Sequence, residues 1–472
     1  MTNILNLSLV EASKLIETKE ISPVELAQEN LKQIKKTNSE YHAFITVYEE
    51  EALQVAKASE TLISAGHYLG PLHGIPIALK DNIAIKGKNT TAGSKVLENW
   101  IPTENATVIN KLLGHGANFI GKTNMHEFAW GGTSDNPHYG TVKNAWDSTR
   151  FPAGSSGGSA VAVATGSCFG ALGTDTGGSV RLPSAVNGIV GIRPTIGRVS
   201  NYGVIPLAWS MDTVGPMTKT VEDCAVMFNA IAGYDEKDEG SVFLATEDYT
   251  KDLNKGVKGL RIGVINDFTF VDVQASVESA IKGALQHFEH LGAHIENINI
   301  ANIKGNITAQ LVVESCEPSA YHQKWLREQP ESYGADVRLL LELGEMQLAT
   351  HYIQAQRYRT LLRAELLEAF KSVDVIITPT LSFTATKVGE TKVKVGDEYL
   401  DMTEAIMQFT GIPSLTGLPA LNVPCGFDEN GLPIGMQIIG KAFDELTLFR
   451  VGQAFESTTN FKQKKSSVLE FA

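Results

Sequence analysis

The sequence has few cysteines and no long apolar run. Four of its 472 residues are cysteine, and none of them belongs to a C-x-x-C pair, so neither a zinc site nor a redox motif is indicated. No segment reaches the roughly 18 consecutive apolar residues of a transmembrane helix, and the N-terminus lacks a basic region followed by an apolar core. We therefore expect buried thiols, no membrane association and a reducing, cytoplasmic location.

Basic side chains and metal-binding patterns are also scarce. The chain carries 40 Lys and Arg against 53 Asp and Glu, a formal net charge of −13, whereas nucleic-acid binding needs clustered basic residues. Its 11 histidines include no H-E-x-x-H motif and no Cys/His cluster with the spacing of metal ligands. These absences argue against direct nucleic-acid binding and against a metal hydrolase, and we expect neither a metal nor another cofactor.

Glycine and serine, by contrast, are concentrated between residues 151 and 200. One cluster, GSSGG, begins at Gly154, and a second, TGGS, begins at Thr176 directly after a strand-like run that ends at Asp175. Glycine admits unusual backbone geometry, and consecutive N–H groups in such turns form anion-binding nests. The N–H groups that can converge here belong to Thr176, Gly177, Gly178 and Ser179. A hydroxyl at the end of this nest is placed as a nucleophile would be, beside donors that can stabilise an oxyanion.

The remaining patterns predict a protein of the α/β class. A capping box at Ser22 begins a helix within the mostly helical first 65 residues, and the apolar run 75–80 is typical of a strand that ends at Lys80. Residues 260–300 have the pattern of a β-α-β unit, and a hairpin is predicted across residues 429–431.

The sequence matches two short catalytic or binding motifs but lacks the structural context that each of them requires. Residues 116–123 match G-x-x-x-x-G-K-[ST], but a predicted helix precedes them, whereas a phosphate-binding loop follows a strand and begins a helix. GSSGG also matches G-x-S-x-G, which would make Ser156 the nucleophile of an α/β-hydrolase. In those enzymes a histidine follows the nucleophile and the acid, but the last histidine, His351, precedes a whole predicted hairpin. We reject both interpretations.

The motifs resemble those of the amidase signature family. GSSGGSA at 154–160, GTDTGGSVRLP at 173–183 and GIVGIRPTIGRVS at 188–200 match the family signature almost throughout, and GIPIALKDN at 74–82 resembles its lysine motif. Further similarity continues to about residue 440, so the resemblance covers nearly the whole chain.

The resemblance implies one amidase signature domain over residues 1–472. Its fold would be a mixed central sheet covered by helices on both faces, with a helical N-terminal segment of about 1–65 and a divergent middle segment of about 236–410. A domain boundary between the first and last motifs would divide the site that the motifs form together, which also argues for a single domain.

The resemblance also implies roles for individual residues. By position, Ser179 would be the nucleophile, Lys80 the general base and Ser155 the proton relay between them. The peptide bond Gly154–Ser155, or alternatively Ser155–Ser156, would be cis. The expected oxyanion hole consists of Thr176, Gly177 and Gly178, and the expected supporting residues are Asp175, Arg181 and Ser156, with Asp175 and Arg181 as a buried pair.

These roles imply amide hydrolysis through a seryl acyl-enzyme, with a small-molecule amide as the substrate. We expect the pocket walls to include Ala129, Trp130, Gly131, Thr133 and Ser134 together with parts of the middle segment. Trp130 suggests an apolar or aromatic acyl group, although a tryptophan of the core would look the same.

Two alternatives to a stand-alone, possibly homodimeric amidase remain open. The first is the glutamine-hydrolysing A subunit of a tRNA-dependent amidotransferase, which would need partner subunits. In its favour, Arg359 lies in a run similar to the one that supplies the glutamine-reading arginine, but residues 402–418 offer only Glu404 as the acid for the substrate's amino group. The second alternative, from another class, is a non-catalytic protein that binds amides or a partner.

Overall fold

The computed structural model describes residues 3–461 and 464–470, and a large mixed sheet dominates it. The strands of the described chain are β1 (Phe44–Val47), β2 (Pro76–Lys80), β3 (Asn118–Thr123), β4 (Gly170–Asp175), β5 (Val190–Arg193), β6 (Thr213–Thr218), β7 (Arg261–Ile265), β8 (His294–Ile298), β9 (Val375–Pro379), β10 (Lys392–Val395), β11 (Glu398–Asp401), β12 (Ala420–Phe427) and β13 (Pro433–Gly440). Eleven of them form one sheet in the order β1-β3-β2-β4-β6-β5-β12-β13-β9-β7-β8, and β10 pairs with β11 in a separate hairpin. The predicted mixed sheet is therefore confirmed.

The described chain also contains helices. They are α1 (Leu9–Glu17), α2 (Pro23–Tyr41), α3 (Glu49–Ser64), α4 (Thr107–Gly114), α5 (Gly157–Ala164), α6 (Arg181–Val186), α7 (Val221–Ile231), α8 (Asn266–Thr269), α9 (Ala275–His290), α10 (Asn306–Glu328), α11 (Ala335–Glu345), α12 (Ala349–Ala369), α13 (Met402–Met407), α14 (Gly411–Thr416), α15 (Glu445–Thr458) and α16 (Ser467–Glu470). Several of these helices pack against the sheet, while others, such as α11 and α12, pack against other helices. The helix predicted at Ser22 is α2, where Ser22 and Glu25 form the expected capping box.

Both faces of the sheet are covered, as the alternation of side chains along β2 shows. Successive residues of a strand point to opposite faces, and Ile77 and Leu79 belong to one buried cluster with residues of α4 and α7. Ala78, which lies between them, belongs to a second cluster that contains most of α5. The sheet is thus the middle layer between helices, as predicted.

Strand direction determines where the predicted site residues meet. The strand β2 is parallel to both β3 and β4, and Leu79 pairs with Leu172. The carboxyl ends of parallel neighbours lie at the same edge of a sheet. Lys80, the last residue of β2, therefore lies beside the end of β4, where the TGGS turn begins.

The predicted β-α-β unit and C-terminal hairpin complete the sheet. β7 and β8 are parallel on either side of α9 in the sequence, and they occupy the end of the sheet opposite β1. β12 and β13 form the antiparallel hairpin that the sequence predicted across residues 429–431. Strands from the divergent middle segment and from the signature motifs therefore share one sheet.

Candidate active site

Lys80 lies at the end of β2 with its side chain fully buried. Its Nζ atom donates hydrogen bonds to Ser155 Oγ at 2.7 Å and to Thr174 Oγ1 at 2.8 Å. Burial disfavours the charged amine and lowers the pKa of Lys80 from 10.5 to about 7, although the carboxylates of Asp175 and Asp212 oppose the shift. A large fraction of this lysine is therefore neutral near pH 7, as a general base must be.

Ser155 is fully buried, and its hydroxyl is the one that accepts the hydrogen bond from Lys80. Its peptide bond to Gly154 is cis, at the first of the two positions that the sequence analysis considered. Its carbonyl oxygen accepts a hydrogen bond from the backbone N–H of His126 at 3.1 Å. The hydroxyl of Ser155 is thereby held against Lys80 and away from solvent.

Ser156 has a supporting position and does not line the cavity described below. Its hydroxyl donates to Thr174 O at 3.1 Å and accepts from Thr174 N at 3.3 Å. Its backbone N–H donates to Ser179 O at 3.2 Å, which joins the two glycine-serine clusters directly. This buried, fully engaged hydroxyl is also a poor candidate for the nucleophile of an α/β-hydrolase elbow.

Ser179 is the member of the predicted catalytic set that faces an open space. It is the last residue of the TGGS turn, is 7% exposed and lines a cavity of about 160 Å³. Among the described residues its hydroxyl has no hydrogen-bond partner, so Lys80 and Ser155 are connected in this structure while the expected bond from Ser155 to Ser179 is not formed. The turn brings all three residues to the same edge of the sheet.

Asp175 organises the turn that carries Ser179. Its carboxylate accepts two hydrogen bonds from Arg181, at 3.0 Å from Nε and 2.8 Å from Nη2, and one at 3.0 Å from Arg193. All three side chains are fully buried. Burial alone would raise the pKa of Asp175, but the two guanidinium groups outweigh it and hold that pKa far below its usual value. The predicted Asp175–Arg181 pair is thus present, and Arg193 extends it.

The backbone donors near Ser179 differ from the expected set in one member. The N–H of Gly178 donates to Asp175 Oδ1 at 3.0 Å, so it is already engaged within the protein. Within the described chain, the N–H groups of Thr176, Gly177 and Ser179 donate to no acceptor. Of the four N–H groups of this turn, those of Thr176, Gly177 and Ser179 are therefore free, and that of Gly178 is occupied by Asp175.

Asp212 holds the first residue of this donor set. Its carboxylate accepts from Thr176 Oγ1 at 2.5 Å and from the backbone N–H groups of Leu207 and Ala208. Burial raises the pKa of Asp212 to about 6, and the three hydrogen bonds oppose that shift. The sequence analysis missed Asp212, because it is 36 residues from Thr176 and belongs to no motif.

The cavity beside Ser179 contains most of the predicted pocket residues. Ala129, Trp130, Gly131 and Thr133 line it, as expected, but Ser134 does not. Ser134 is fully buried with a positive φ of 56°, and its hydroxyl accepts from Gly157 N at 3.1 Å. The placement of Ser134 in the pocket wall was wrong, since the backbone turns its side chain toward α5.

The other walls come largely from the middle segment, for which the sequence analysis named no individual pocket residue. The middle segment supplies Leu311, Glu314, Leu340, Met402, Thr403, Ile406 and Met407, and the remaining lining residues are Gly132, Gly154, Gly177, Leu182 and Leu207. Most of these side chains are apolar, which suits an apolar acyl or amine group. Larger cavities, of about 560 and 600 Å³, contain none of the predicted catalytic residues, so size does not identify this site.

The residues that would indicate other functions lie outside the cavity. Lys122, of the rejected phosphate-loop match, is buried within β3 and forms an ion pair with Asp81 at 3.1 Å. Arg359 donates to Ser210 and to Leu415 O and does not line the cavity. Glu404 is exposed on α13 and is also absent from the cavity wall.

Membrane spans and metal clusters are absent from the described part of the chain. Within residues 3–461 and 464–470, no helix combines the length and apolarity needed to cross a membrane. The same residues contain no group of three or more His, Cys, Asp or Glu side chains that could hold a metal ion. Of the cysteines, Cys168, Cys224 and Cys425 are buried as expected, whereas Cys316 is only half-buried.

Comparison with known proteins assigns this site to a family. The sequence profile of the Amidase family matches residues 25–449. The chain belongs to the amidase family. It is accordingly an enzyme that hydrolyses C–N bonds of amides.

This amidase is similar both to amidotransferase subunits and to an amidase of known structure. It is 39% identical to the A subunit of glutamyl-tRNA(Gln) amidotransferase from Trichormus variabilis, over 96% of this chain and 98% of the relative. It is also similar to a crystal structure of an amidase, with 33% identity, a TM-score of 0.87 and coverage of 96% and 99% of the two chains. The solved structure of the A subunit of glutamyl-tRNA(Gln) amidotransferase from Thermotoga maritima is similar as well. Its sequence identity is 35% and its TM-score is 0.82, with coverage of 97% of this chain and 96% of that chain.

Proposed function

We propose that this amidase hydrolyses a small carboxamide to the acid and ammonia or an amine through a seryl acyl-enzyme. The observation that carries the proposal is the buried hydrogen bond of 2.7 Å between Lys80 and Ser155, directly behind a cavity onto which Ser179 opens. A buried lysine with a lowered pKa beside two serines is suited to proton transfer and has no evident role in a binding protein.

In the first step, Ser179 Oγ attacks the carbonyl carbon of the amide. Its proton passes to Ser155 as the Ser155 proton passes to the neutral amine of Lys80. A rotation of the free Ser179 hydroxyl would complete this relay, because that hydroxyl has no partner within the described chain. The C–N bond then breaks as the departing nitrogen takes the proton from Lys80 through the same path.

The negative charge on the carbonyl oxygen is stabilised by the free N–H groups of Thr176, Gly177 and Ser179. Removal of one such donor typically costs about 3 kcal/mol in acyl transfer, so their fixed placement contributes substantially to the rate. Asp175 and Asp212 keep the turn in position from behind. In the second step, water attacks the acyl-enzyme and releases the acid by the same proton path.

Labelling with a fluorophosphonate probe tests the nucleophile. The probe should react with the parent protein, mass spectrometry should locate it on Ser179, and the Ser179→Ala variant should stay unlabelled. A Ser156→Ala variant serves as the control for the rejected elbow. Labelling that moves to Ser156, or no labelling of the parent at any pH, contradicts the proposal and in the second case favours a non-catalytic binding protein.

A second candidate is the glutamine-hydrolysing subunit of a tRNA-dependent amidotransferase, which the 39% identity over nearly the whole chain favours. Under this candidate, partner subunits would take the ammonia. Its weakness is the cavity wall, which contains neither Arg359 nor Glu404. Copurification of stoichiometric partner subunits from the native source, with glutaminase activity, would place this candidate first.

The unpaired cysteines of the described chain are consistent with a reducing compartment, so we place the reaction in the cytoplasm.

A further inference from the structure

Glu314 is an acidic side chain in the wall of the apolar cavity beside Ser179. It lies on α10, is 3% exposed and forms no ion pair with any described residue. Its Oε1 atom accepts a hydrogen bond of 3.0 Å from Nε2 of Gln310, which lies one helical turn earlier. A buried carboxyl group is unfavourable unless its polar atoms are satisfied, and the hydrogen bond from Gln310 satisfies Oε1 only.

The carboxyl group packs directly against the turn that would bind the substrate carbonyl. A Cβ atom on Gly177 would collide with the side-chain amide of Gln310 and would lie 2.6 Å from Glu314 Oε1, so the ends of both side chains lie against this residue. Gly177 supplies one of the free N–H groups, and Gly177, Ser179 and Glu314 line the same cavity. An acyl group held at Ser179 would therefore have Glu314 beside its first carbon atoms.

The rest of the cavity offers no compensating charge. Among its lining residues there is no lysine, arginine or histidine, and much of the wall is formed by the apolar side chains of Leu182, Leu311, Leu340, Met402, Ile406 and Met407. A substrate carboxylate near this position would lie close to Glu314, and no cationic side chain of the cavity wall would balance its charge. A substrate ammonium would instead find the one acidic group that the cavity presents.

The charge state of Glu314 is coupled to what binds there. Burial raises the pKa of Glu314 to about 8; the hydrogen bond from Gln310 opposes this shift, the carboxylates of Asp212 and Asp175 add to it, and Arg193 opposes it. With no cation beside it, Glu314 is therefore mainly neutral near pH 7. A bound ammonium would favour ionisation, since an opposite charge nearby lowers a carboxyl pKa.

We propose that Glu314 determines the specificity of this amidase by pairing with an amino group on the acyl part of the substrate. The substrate class is then small, largely apolar amides that carry a basic amine close to the scissile carbonyl and no carboxylate. This inference rests on the proposed amide hydrolysis at Ser179 and goes beyond it by naming the chemistry of the acyl group.

Leucinamide and 4-methylpentanamide form a matched pair of test substrates, since they differ only in the amino group. Hydrogen bonds to charged groups contribute roughly 1.5 to 3 kcal/mol, which corresponds to a preference of about tenfold or more in kcat/KM for leucinamide. Glu314→Gln should lower kcat/KM for leucinamide by about tenfold or more and change that for 4-methylpentanamide less than about threefold.

Glu317→Gln is the matched control for this substitution. Glu317 is a buried carboxyl group on the same helix, but it accepts from Ser210 and Tyr352 outside the cavity. Its variant should keep the parent's ratio between the two amides. An unchanged ratio in Glu314→Gln, or a parent that prefers 4-methylpentanamide, overturns the inference while leaving amide hydrolysis intact.

A binding measurement separates this inference from the catalytic proposal. Ser179→Ala protein titrated with leucinamide at pH 6.5 in two buffers of different ionisation enthalpy should show release of up to about one proton, because neutral Glu314 ionises as the ammonium binds. The double variant Ser179→Ala, Glu314→Gln should bind leucinamide about tenfold more weakly without proton release.

The outcomes of this titration are distinct from those of the kinetic test. Binding of 4-methylpentanamide as tight as that of leucinamide, or absence of leucinamide binding, overturns the role of Glu314. Absence of fluorophosphonate labelling or of all amide hydrolysis would count against Ser179 chemistry alone, since the titration still reports on Glu314.

Discussion

The signature segment, residues 151–200, and the divergent middle segment, residues about 236–410, both contribute to the wall of the same cavity, but they are built in different ways. Within the signature segment every residue except Gly188 and Ile196 is buried. In the middle segment, the 21-residue helix α12 buries only Ala355, Leu362 and Leu366. The proposed nucleophile and oxyanion donors come from the first region, and much of the apolar wall comes from the second.

This difference separates the chemistry of the site from its selectivity. Buried hydrogen bonds and ion pairs hold the catalytic groups in one geometry, which electrostatic stabilisation of a transition state requires. The middle segment contributes mostly apolar contacts and Glu314, and such contacts choose among substrates without performing the reaction. Changes in the first region should therefore affect rate or folding, and changes in the second should affect which amide is used.

The largest expected effect comes from the nucleophile of the signature segment. Ser179→Ala should lower kcat/KM for any amide substrate by about 10⁴-fold or more, as removal of other serine nucleophiles does. Ser159→Ala is a suitable control, because this buried hydroxyl of α5 donates to Leu172 O and lies outside the cavity. Activity of Ser179→Ala within threefold of the parent would falsify the mechanism.

Lys80→Ala should have the next largest effect, a loss of about 10³-fold in kcat/KM. The active form is the neutral amine, and burial lowers the pKa of Lys80 to about 7, so activity of the parent should rise through about pH 7 and level off above it. The variant should lose this rising limb. Profiles of kcat/KM from pH 5 to 10 measure both effects.

Ser155→Ala provides the control for that profile. Serine does not ionise in this range, so any activity that survives should retain the rising limb of the parent while its rate falls. A parent profile that is flat from about pH 5 to 10, or a Lys80→Ala variant with the parent's rate and shape, would remove Lys80 from the proposed mechanism.

The buried ion pairs of the signature segment should matter for folding more than those of the middle segment. Asp175→Asn leaves Arg181 and Arg193 buried without their carboxylate, and breaking such a pair lowers the free energy of unfolding by about 3 to 5 kcal/mol. Asp374→Asn breaks a partly exposed pair with Arg261 in the middle segment and should cost about 1 kcal/mol or less. Urea unfolding of both variants measures the difference, and equal losses would contradict this contrast between the regions.

The signature segment was predicted more fully from sequence than the middle segment, and the two regions show why. Ser155, Ser179 and Lys80 lie in motifs, so their approach in space follows once the strands β2 and β4 pair. The engagement of Gly178 could not be predicted in this way. All four N–H groups of the TGGS turn look alike in the sequence, and only the position of the Asp175 carboxylate selects one of them.

The residues that were missed depend on packing between distant segments. Asp212 lies in no motif, and Arg193 lies in one that does not reveal its partner; both reach the turn through side-chain hydrogen bonds to residues distant in sequence. Glu314 is one of several polar residues along α10, and only the packing of that helix decides which of them faces the cavity. Ser134 was misplaced for a related reason, because the sequence does not reveal a positive φ at a residue other than glycine.

The smallest expected effect concerns an acid of the middle segment that lies outside the cavity. Glu404 is exposed on α13, whereas its neighbours Met402, Thr403 and Ile406 line the wall. Glu404→Gln should therefore change kcat/KM for leucinamide and 4-methylpentanamide by less than about twofold, since an exposed charge away from the substrate contributes little. The glutaminase candidate leads to a different result, because Glu404 is the acid that residues 402–418 offer to the amino group of glutamine. Suppose that Glu404→Gln abolished hydrolysis of glutamine and left fluorophosphonate labelling of Ser179 unchanged. Glu404 would then contact the substrate, so the middle segment would have a different conformation when substrate is bound. That result would favour the amidotransferase function.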